Sequence, residues 1–482
     1  MKTWLKWVLS ILTLCIFLFI AAFFPLQQHQ DTTHELTPTF SEIELDFTHQ
    51  FTKGTFPFLG GAVIDVNNDG NFEILIGGGE GQDDVLFAYN NEFTRLSDLG
   101  ISDLSATYGI ISLDVDQDSD VDLLIARHNG LFFYFNENGK FTKQEISLNL
   151  EANSVVFSAA PGDINGDGWV DLYVSTFVNP ENFKSATYND PEHGKENILL
   201  LNNGDNTFTD ITKTSGAAMD TNTFLSVFLD LNDDGWQDLI VSPNTDTVRI
   251  FKNNKDNTFT EQARPTGYGF WMGLGIGDID QDGDQDFFFS NAANLAPDFL
   301  FQGDLKDEQQ FDGDWALLRN DDNFKFTNIN EEQGLTDMEF AWGAMVEDFN
   351  LDGYPELVVA ENYIKWFAHH ARKFPGRLFV NDAGNFIPVT QQAKVSNYHF
   401  GMGQLLVDLN QDGYMDFIQL NMDGPARAFV NDGGSAEYEV ITIPDNVESL
   451  GKTFTRNGVS KVFVPGEGFM TDSAPQMIFR EE

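Results

Sequence analysis

The chain has 482 residues, a formal net charge of −48 and an aromatic content of 13%. So negative a chain argues against nucleic acid and anionic membrane surfaces as partners. The aromatic content argues against an acidic disordered chain, which would lack side chains to bury. Because Cys15 is the single cysteine, the rest of the chain can form no disulfide. A bound metal is therefore expected to stabilise the fold in place of disulfides.

Residues 1–26 are predicted to form a transmembrane signal anchor. Lys2 and Lys6 precede an uncharged run from Trp7 to Phe24, which is about as long as the shortest membrane-spanning helices. The lysines predict a cytoplasmic N-terminus and an exported remainder. A cleaved signal peptide is the competing interpretation, and both place the chain from residue 30 outside the cytoplasm. Residues 27–39 are polar and are predicted to be a linker.

A nine-residue acidic pattern recurs seven times from residue 65 onward. It reads D-x-[DN]-x-D-[GS]-x-x-[DE] and leads into apolar strand-like runs such as residues 238–241. Ca²⁺ prefers six to eight oxygen ligands from a tightly curled loop with glycine at the sharp turn. One copy alone is compatible with an ordinary Asx-rich turn. Seven copies in one register instead predict calcium loops within β-hairpins.

The candidate ligands are the side chains at positions one, three, five and nine of each copy. They are Asp65, Asn67, Asp69 and Glu73; Asp114, Asp116, Asp118 and Asp122; Asp163, Asn165, Asp167 and Asp171; Asp230, Asn232, Asp234 and Asp238; Asp278, Asp280, Asp282 and Asp286; Asp348, Asn350, Asp352 and Glu356; and Asp408, Asn410, Asp412 and Asp416. Ser119 replaces the glycine of position six in the second copy. Because a left-handed turn is costly for a residue with a Cβ, we expect the weakest or most distorted site there.

A second repeat, an Asn-rich turn followed by a Phe-Thr piece such as residues 208–209, alternates with the acidic loops. Each unit then has four strands, which is the pattern of a β-propeller blade. The predicted fold is all-β: a seven-bladed propeller over residues 40–434. Since the seventh unit lacks its Phe-Thr piece, residues 40–48 are expected to close the ring as its outer strand. Residues 435–482 are expected to form a small β module.

Three units carry inserts, at residues 177–196, 291–314 and 361–376. Successive turns of a four-stranded meander alternate between the ends of a blade, so the inserts are expected on the face away from the calcium loops. Long loops on a rigid scaffold are usual sites of function. The side chains expected to form a ligand face there are Tyr188, His193, Trp315, Tyr363, Trp366 and Arg372. The alternative is that the inserts serve only packing.

With these motifs in hand, the chain resembles the FG-GAP/VCBS-repeat propellers, the family that includes the integrin α-subunit head. The acidic loops carry the resemblance, with Gly-rich apolar strands before them such as residues 58–62 and 400–403. The resemblance implies Ca²⁺ at the loops, in a mainly structural role. Residues 451–456, 464–470 and 473–479 resemble the ASPIC/UnbV module that follows such propellers in the cartilage acidic protein family. The usual Gly-Leu-Gly ending of that module is missing here.

Two functions from different classes remain open. The first is a membrane-anchored, exported calcium-binding propeller that binds a protein or glycan as an adhesion module. The second is a calcium-dependent enzyme acting on polysaccharide, with His193, His370 and Arg372 as candidate groups. No spacing joins these three residues into a motif, and the sequence contains no nucleophile elbow, phosphate loop or zinc motif. We therefore expect a binding module that contacts the membrane only through its N-terminal helix.

Overall fold

The computed structural model describes residues 7, 10–13, 31–292, 301–336, 338–361, 374–433, 439–441, 452–456, 459–464 and 468–470. Most of the predicted anchor, residues 1–26, lies outside this set. Among the residues that are described, none belongs to a helix of the length and apolarity needed to cross a bilayer.

The strands of the first four blades alternate with short turns. After β1 (Phe40–Thr48) they are β2 (Gly61–Ile64), β3 (Glu73–Ile76), β4 (Val85–Tyr89), β5 (Phe93–Leu96), β6 (Thr107–Leu113), β7 (Asp122–Arg127), β8 (Gly130–Asn136), β9 (Phe141–Ile146), β10 (Ser154–Gly162), β11 (Asp171–Val178), β12 (Ile198–Asn202), β13 (Phe208–Asp210), β14 (Thr223–Leu229), β15 (Asp238–Asp246), β16 (Arg249–Asn253), β17 (Phe259–Glu261) and β18 (Gly269–Phe270).

The remaining strands complete the propeller and a separate C-terminal sheet. They are β19 (Leu274–Gly277), β20 (Asp286–Phe289), β21 (Ala316–Asn320), β22 (Phe326–Asn328), β23 (Ala341–Glu347), β24 (Glu356–Glu361), β25 (Arg377–Asp382), β26 (Asn385–Pro388), β27 (Gly401–Val407), β28 (Asp416–Asn421), β29 (Pro425–Asn431), β30 (Glu439–Ile441), β31 (Lys452–Arg456), β32 (Val459–Val464) and β33 (Gly468–Met470). Two short helices, Thr212–Ser215 and Thr390–Ala393, follow the outer strands of blades three and six.

These strands form seven antiparallel blades, which confirms the predicted all-β seven-bladed propeller. Six blades use four consecutive strands each, from β2–β5 to β23–β26, and β18 adds to β15 in blade four. The seventh has the order β1-β29-β28-β27, with Phe40 opposite Asn431. The N-terminal strand therefore closes the ring, as expected for residues 40–48, and leaves no unpaired edge between first and last blades. The described C-terminal residues form a four-stranded sheet, β30–β33.

The blades pack face to face through apolar side chains. All six residues of β7 are buried, and Leu123 and Phe132 of blade two pack with Leu75 of blade one. The inner strands approach closely near the axis. A Cβ on Gly60 would lie 2.8 Å from the Cα of Gly109, so only glycine fits at this junction of the first two blades. The core is thus shared between neighbouring blades.

The two ends of the propeller differ in chemistry. In blade three Gly162 pairs with Asp171 beside the acidic loop, whereas Ser154 pairs with Val178 at the other end, where the insert begins. We call the first end the loop face and the second the insert face. Aromatic side chains from four blades fill the axis near the insert face. The ring of Phe58 lies 4.9 Å from that of Trp342 and 5.0 Å from that of Phe157. Edge contacts of this kind add to the stability gained by burial.

The described part of the expected linker, residues 31–39, is not a free tether. Thr32 N–H donates to Pro388 O at 2.8 Å, and His34 N–H donates to Gln392 Oε1 at 2.8 Å. Gln392 Nε2 returns a hydrogen bond to His34 O, also at 2.8 Å. This arm therefore lies along the outer strand of blade six. The polar composition suggested a solvated linker, but in the described part the main chain of Thr32 and His34 bonds to blade six.

Candidate cation loops and the insert face

Each acidic loop curls around the carboxylate at its first position. In blade three, Asp163 Oδ1 accepts a hydrogen bond from Asp167 N–H at 3.1 Å, and Asp163 Oδ2 accepts one from Gly168 N–H at 2.9 Å. Asp167 Oδ1 in turn accepts one from Trp169 N–H at 2.9 Å. These bonds use the backbone donors of the turn. The carboxylates of positions one and five are thereby held against the backbone of the turn.

The carboxylate at position nine joins the loop to the blade. Asp171 is fully buried; its Oδ2 accepts a hydrogen bond from Ile164 N–H at 3.0 Å, and its Oδ1 accepts one from Asn202 N–H at 2.8 Å. Asp122, Asp238, Asp286 and Asp416 accept the same pair of bonds from position two of their loops and from the last residue of the third strand. The carboxylate at position nine is therefore both a candidate cation ligand and the group that bonds the loop to the third strand, and we call it the latch.

Burial disfavours the ionised form of these carboxylates when no cation balances their charge. It raises the pKa of Asp171 to about 7 and that of Asp416 to about 8, and the charges of the neighbouring loop carboxylates add to the effect. The backbone N–H donors oppose it without cancelling it. Burial likewise raises the pKa of Glu356 well above its ordinary value. A bound cation would favour the ionised forms, so the loops have the electrostatics of a cation site.

The donor geometry fits a hard cation in at least two blades. One carboxylate oxygen from each of Asp114, Asp116 and Asp122 lies within 4.8 Å of the others. The same holds for Asp278, Asp280 and the position-nine carboxylate of blade five. Side chains that offer only oxygen suit Ca²⁺ better than the softer transition metals. Cation binding at the full predicted ligand set remains a prediction.

Ser119 does adopt the left-handed conformation that its position requires, with φ of 74°. The loop nevertheless keeps the hydrogen bonds of the other copies, since Asp114 Oδ1 accepts from Asp118 N–H at 3.3 Å and Oδ2 accepts from Ser119 N–H at 3.1 Å. The expected distortion is therefore absent from these contacts. The cost of the non-glycine turn is local strain, and the weaker affinity expected for this loop stays a prediction.

Two of the three inserts meet on the insert face, as expected. Asp304 accepts hydrogen bonds from Tyr188 N–H at 2.5 Å and from Asn189 N–H at 3.1 Å. Asn189 Nδ2 donates to Asp304 O at 3.0 Å, and Tyr188 O–H donates to Phe301 O at 2.8 Å. These bonds join blade three to blade five across more than one hundred residues of sequence. These hydrogen bonds fix the position of the two inserts relative to each other, which the sequence alone does not specify.

Several residues expected on a ligand face serve packing instead. Trp315 is only 1% exposed, and its Nε1–H donates to Glu339 O at 3.0 Å, so its expected contact with a ligand is wrong. His193 is 4% exposed and accepts a hydrogen bond from Lys184 N–H at Nε2, 3.0 Å away. Burial lowers the pKa of His193. Tyr188 is half-buried between the joined inserts. The remaining candidates lie outside the described residues: Tyr363, Trp366, His370 and Arg372.

Sequence reasoning missed the apolar groups that are open on the insert face. Phe51 is 58% exposed, Leu104 56%, Tyr398 50% and Phe183 36%. Phe51 follows β1 and Tyr398 precedes β27, and both of these strands belong to blade seven. Leu104 precedes β6, and Phe183 lies in the insert of blade three. All four therefore lie at the end of the propeller opposite the acidic loops. Isolated apolar residues in polar loops show no helix or strand periodicity in the sequence. Only the structure reveals that these four residues lie at the same end of the propeller.

The acidic loops and the strands around them are similar to FG-GAP-like repeats in two stretches of the ring. The family model for FG-GAP-like repeats matches residues 114–174 and 230–289, which are units from two stretches of the ring. The resemblance stated from the loop motif is thus confirmed. Cartilage acidic protein 1 of Xenopus tropicalis is 24% identical over 386 residues, covering 76% of this chain and 48% of that protein. The chain spans about half the length of this curated relative.

Two solved structures align with most of the chain. An Agrocybe aegerita lectin that recognises non-reducing terminal N-acetylglucosamine aligns with a TM-score of 0.41 and 14% identity, over 80% of this chain and 87% of the lectin. BBS1N, solved in complex with ARL6DN, aligns with a TM-score of 0.49 and 10% identity, over 83% of this chain and 98% of that chain.

Proposed function

We propose that the protein is an exported, calcium-stiffened propeller that binds a protein or glycan partner on its insert face, as an adhesion-type module. The observation that carries this proposal is that Phe51, Leu104, Phe183 and Tyr398 are exposed and lie at the same end of the ring. Aromatic and other large apolar groups supply contact area at binding hot spots. The opposite end is occupied by the acidic loops.

The joined inserts support a preformed surface. Because Asp304 ties residues 188 and 189 to blade five through backbone and side-chain bonds, this part of the face is ordered before any partner arrives. Binding to an ordered surface avoids part of the entropy cost of association. Ca²⁺ in the loops would act at the other end, by holding the blades and so the spacing of the inserts. The cation would therefore affect binding through rigidity and not through contact.

The N-terminal segment is proposed to attach the propeller to the membrane. Residues 31–34 bond along blade six, so only about five residues separate a span ending at residue 26 from the propeller. An extended chain covers at most about 3.5 Å per residue, so such an anchor would hold blade six within roughly 20 Å of the bilayer. This proposal is tested by fractionating cells that produce the full chain and sequencing the N-terminus of the product. Release into the medium with a new N-terminus near residue 22 would favour a cleaved signal peptide.

The enzyme alternative gains no support from the described residues. His193, one of its three candidate groups, is buried and engaged by Lys184 N–H, so it is not placed to act as a base on a bound polysaccharide. The other two, His370 and Arg372, lie outside the described residues. A binding function requires no convergence of such groups.

The binding proposal is tested by screening the purified protein against arrays of extracellular proteins and glycans, with Ca²⁺ and with chelator. Any ligand found is then measured against Phe183→Ser and Tyr398→Ser. Tyr354→Ser is the matched control, because Tyr354 is also a partly exposed aromatic residue but lies at position seven of the acidic loop in blade six, on the loop face. We expect the first two variants to weaken binding by about tenfold or more with unchanged melting. Equal binding by all three variants would contradict the assignment to the insert face.

A further inference from the structure

An asparagine at the end of the third strand bridges neighbouring blades. In blade four, Asn253 N–H donates to Asp238 Oδ1 at 2.8 Å, within the blade. Its side-chain Nδ2 donates to Ile164 O at 2.8 Å, at position two of the loop in blade three. Asn253 is 1% exposed, so both bonds are shielded from water. One residue thus contacts the latch of its own loop and the backbone of the preceding loop.

The same bridge recurs around the ring. Each acceptor is the carbonyl at position two of the preceding loop. The bonds are Asn136 to Val66 at 2.9 Å, Asn320 to Leu231 at 3.5 Å, Asn381 to Ile279 at 3.0 Å and Asn431 to Phe349 at 2.9 Å.

The two remaining junctions use glutamine at position four of a loop. Gln117 Nε2 of blade two donates to Gly168 O of blade three at 2.7 Å, and Gln411 Nε2 of blade seven donates to Gly70 O of blade one at 2.5 Å. Both glutamines have positive φ, 63° and 55°. At the second of these junctions Tyr89 ends the third strand, so no asparagine is available there. Every junction of the described ring therefore has a side-chain amide that joins two loops.

We propose that these amides are positioning residues that couple cation binding in one blade to the loop of the next; this rests on the cation binding proposed above. The peptide group at position two of the acidic loop connects the two neighbouring loops. Ile164 N–H donates to the position-nine carboxylate Asp171, while Ile164 O accepts from Asn253 of the next blade. With a cation bound, Asp171 would stay ionised, and the hydrogen bond that it accepts from Ile164 N–H would hold this peptide in place. Hydrogen bonds in series strengthen one another, and coupling between two sites is reciprocal.

The coupling can be measured with Tb³⁺, which substitutes for Ca²⁺ at hard oxygen sites and emits when a nearby tryptophan is excited. Trp169 occupies position seven of the loop in blade three, and Trp236 the same position in blade four. Trp236 also lies beside Gly166 of blade three, so it would report on two loops. In full-length Trp236→Phe protein, Trp169 reports on blade three without this overlap. Asn253→Ala is then made in blade four and read out in blade three.

We expect Asn253→Ala to raise the apparent Tb³⁺ dissociation constant at the Trp169 reporter roughly two- to tenfold, the change for one lost hydrogen bond. Asn254→Ala, which alters an exposed neighbour bonded only to its own turn through Thr258 and Thr260, should leave it unchanged. An unchanged dissociation constant in folded Asn253→Ala protein would overturn the coupling. Should that variant fail to fold, Gln117→Leu tests the same coupling from an exposed side chain, and an unchanged constant there would also overturn it.

Failure of the cation premise gives a different result. Trp236→Phe protein without sensitised Tb³⁺ emission, and without bound metal by native mass spectrometry, would refute cation binding itself as well as the coupling. Emission that titrates normally but does not respond to the bridge variants would refute the coupling alone.

Discussion

Replacing Arg127 with methionine should destabilise the junction of blades one and two. The guanidinium is fully buried at the end of β7 and lies 2.6 Å from the carboxylate of Asp84, which is equally buried. It also donates to Tyr134 O–H at 3.1 Å and contacts Thr107 Oγ1. Arg127→Met keeps most of the apolar volume of the side chain but removes every one of these donors.

The cost follows from the charge that is left behind. Breaking a buried ion pair by removing one partner costs about 3–5 kcal/mol. Burial already raises the pKa of Asp84 even beside Arg127. Without the guanidinium that carboxyl would take up a proton, which places the cost towards the lower end of the range. With about 2 cal/mol/K of unfolding entropy per residue and roughly 400 residues in the propeller, a cost of about 3–4 kcal/mol should lower the melting temperature by about 4–5 °C.

Differential scanning calorimetry of the purified protein in saturating Ca²⁺ measures this change. The double variant Asp84→Leu/Arg127→Met is the matched test, because replacing both charges by apolar groups removes the buried charge together with its partner. We expect it to melt above Arg127→Met. A melting temperature for Arg127→Met within about 1 °C of the unaltered protein would refute the assigned role of the pair.

Three further outcomes are expected. Excess chelator in low salt should lower the melting temperature, because a ligand that binds only the folded state stabilises it by mass action; an unchanged melt without bound metal would contradict this. In that chelator, the free energy of unfolding should fall as the pH rises from about 4 to about 8, because burial raises the pKa of Asp171 to about 7 and that of Asp416 to about 8, so the folded state binds protons that the unfolded state has lost. Thermal melts across this pH range would show no such fall if these carboxyls were unperturbed. Ser119→Gly should raise the free energy of unfolding by about 1 kcal/mol by relieving a φ of 74°. Urea unfolding measures this change beside Ser97→Gly, which alters an exposed serine outside the left-handed region and should gain no stability.

The sequence determined the fold because its repeats encode local geometry. The acidic nine-residue loops placed the hairpins between the first and second strands of each blade, and the alternation with Asn-rich turns predicted four strands per unit. The incomplete seventh unit and the strand at residues 40–48 together predicted ring closure, which the pairing of Phe40 with Asn431 shows. Each of these features depends on residues close in sequence, or on a count of repeats.

The residues of the ligand face were predicted less accurately than the fold, because the exposure of a side chain depends on neighbours that are distant in sequence. Trp315 was expected to contact a ligand, yet it is buried between blades five and six and its Nε1–H donates to Glu339 O. The residues that are open on the insert face, such as Phe51 and Tyr398, lie in ordinary connections with no motif. A side chain's propensity for a partner surface cannot be read without knowing what packs over it.

The bridges between blades show most clearly what only the tertiary structure decided. An asparagine at the last or last-but-one position of the third strand is visible as a repeat in six of the seven blades, but the sequence does not show that Asn253 reaches Ile164, 89 residues earlier. The ring brings the two together because each blade is rotated against its predecessor, so the end of one third strand faces the loop before it. Local repetition specified the blades and their loops; closure of the ring set which groups face each other across the junctions.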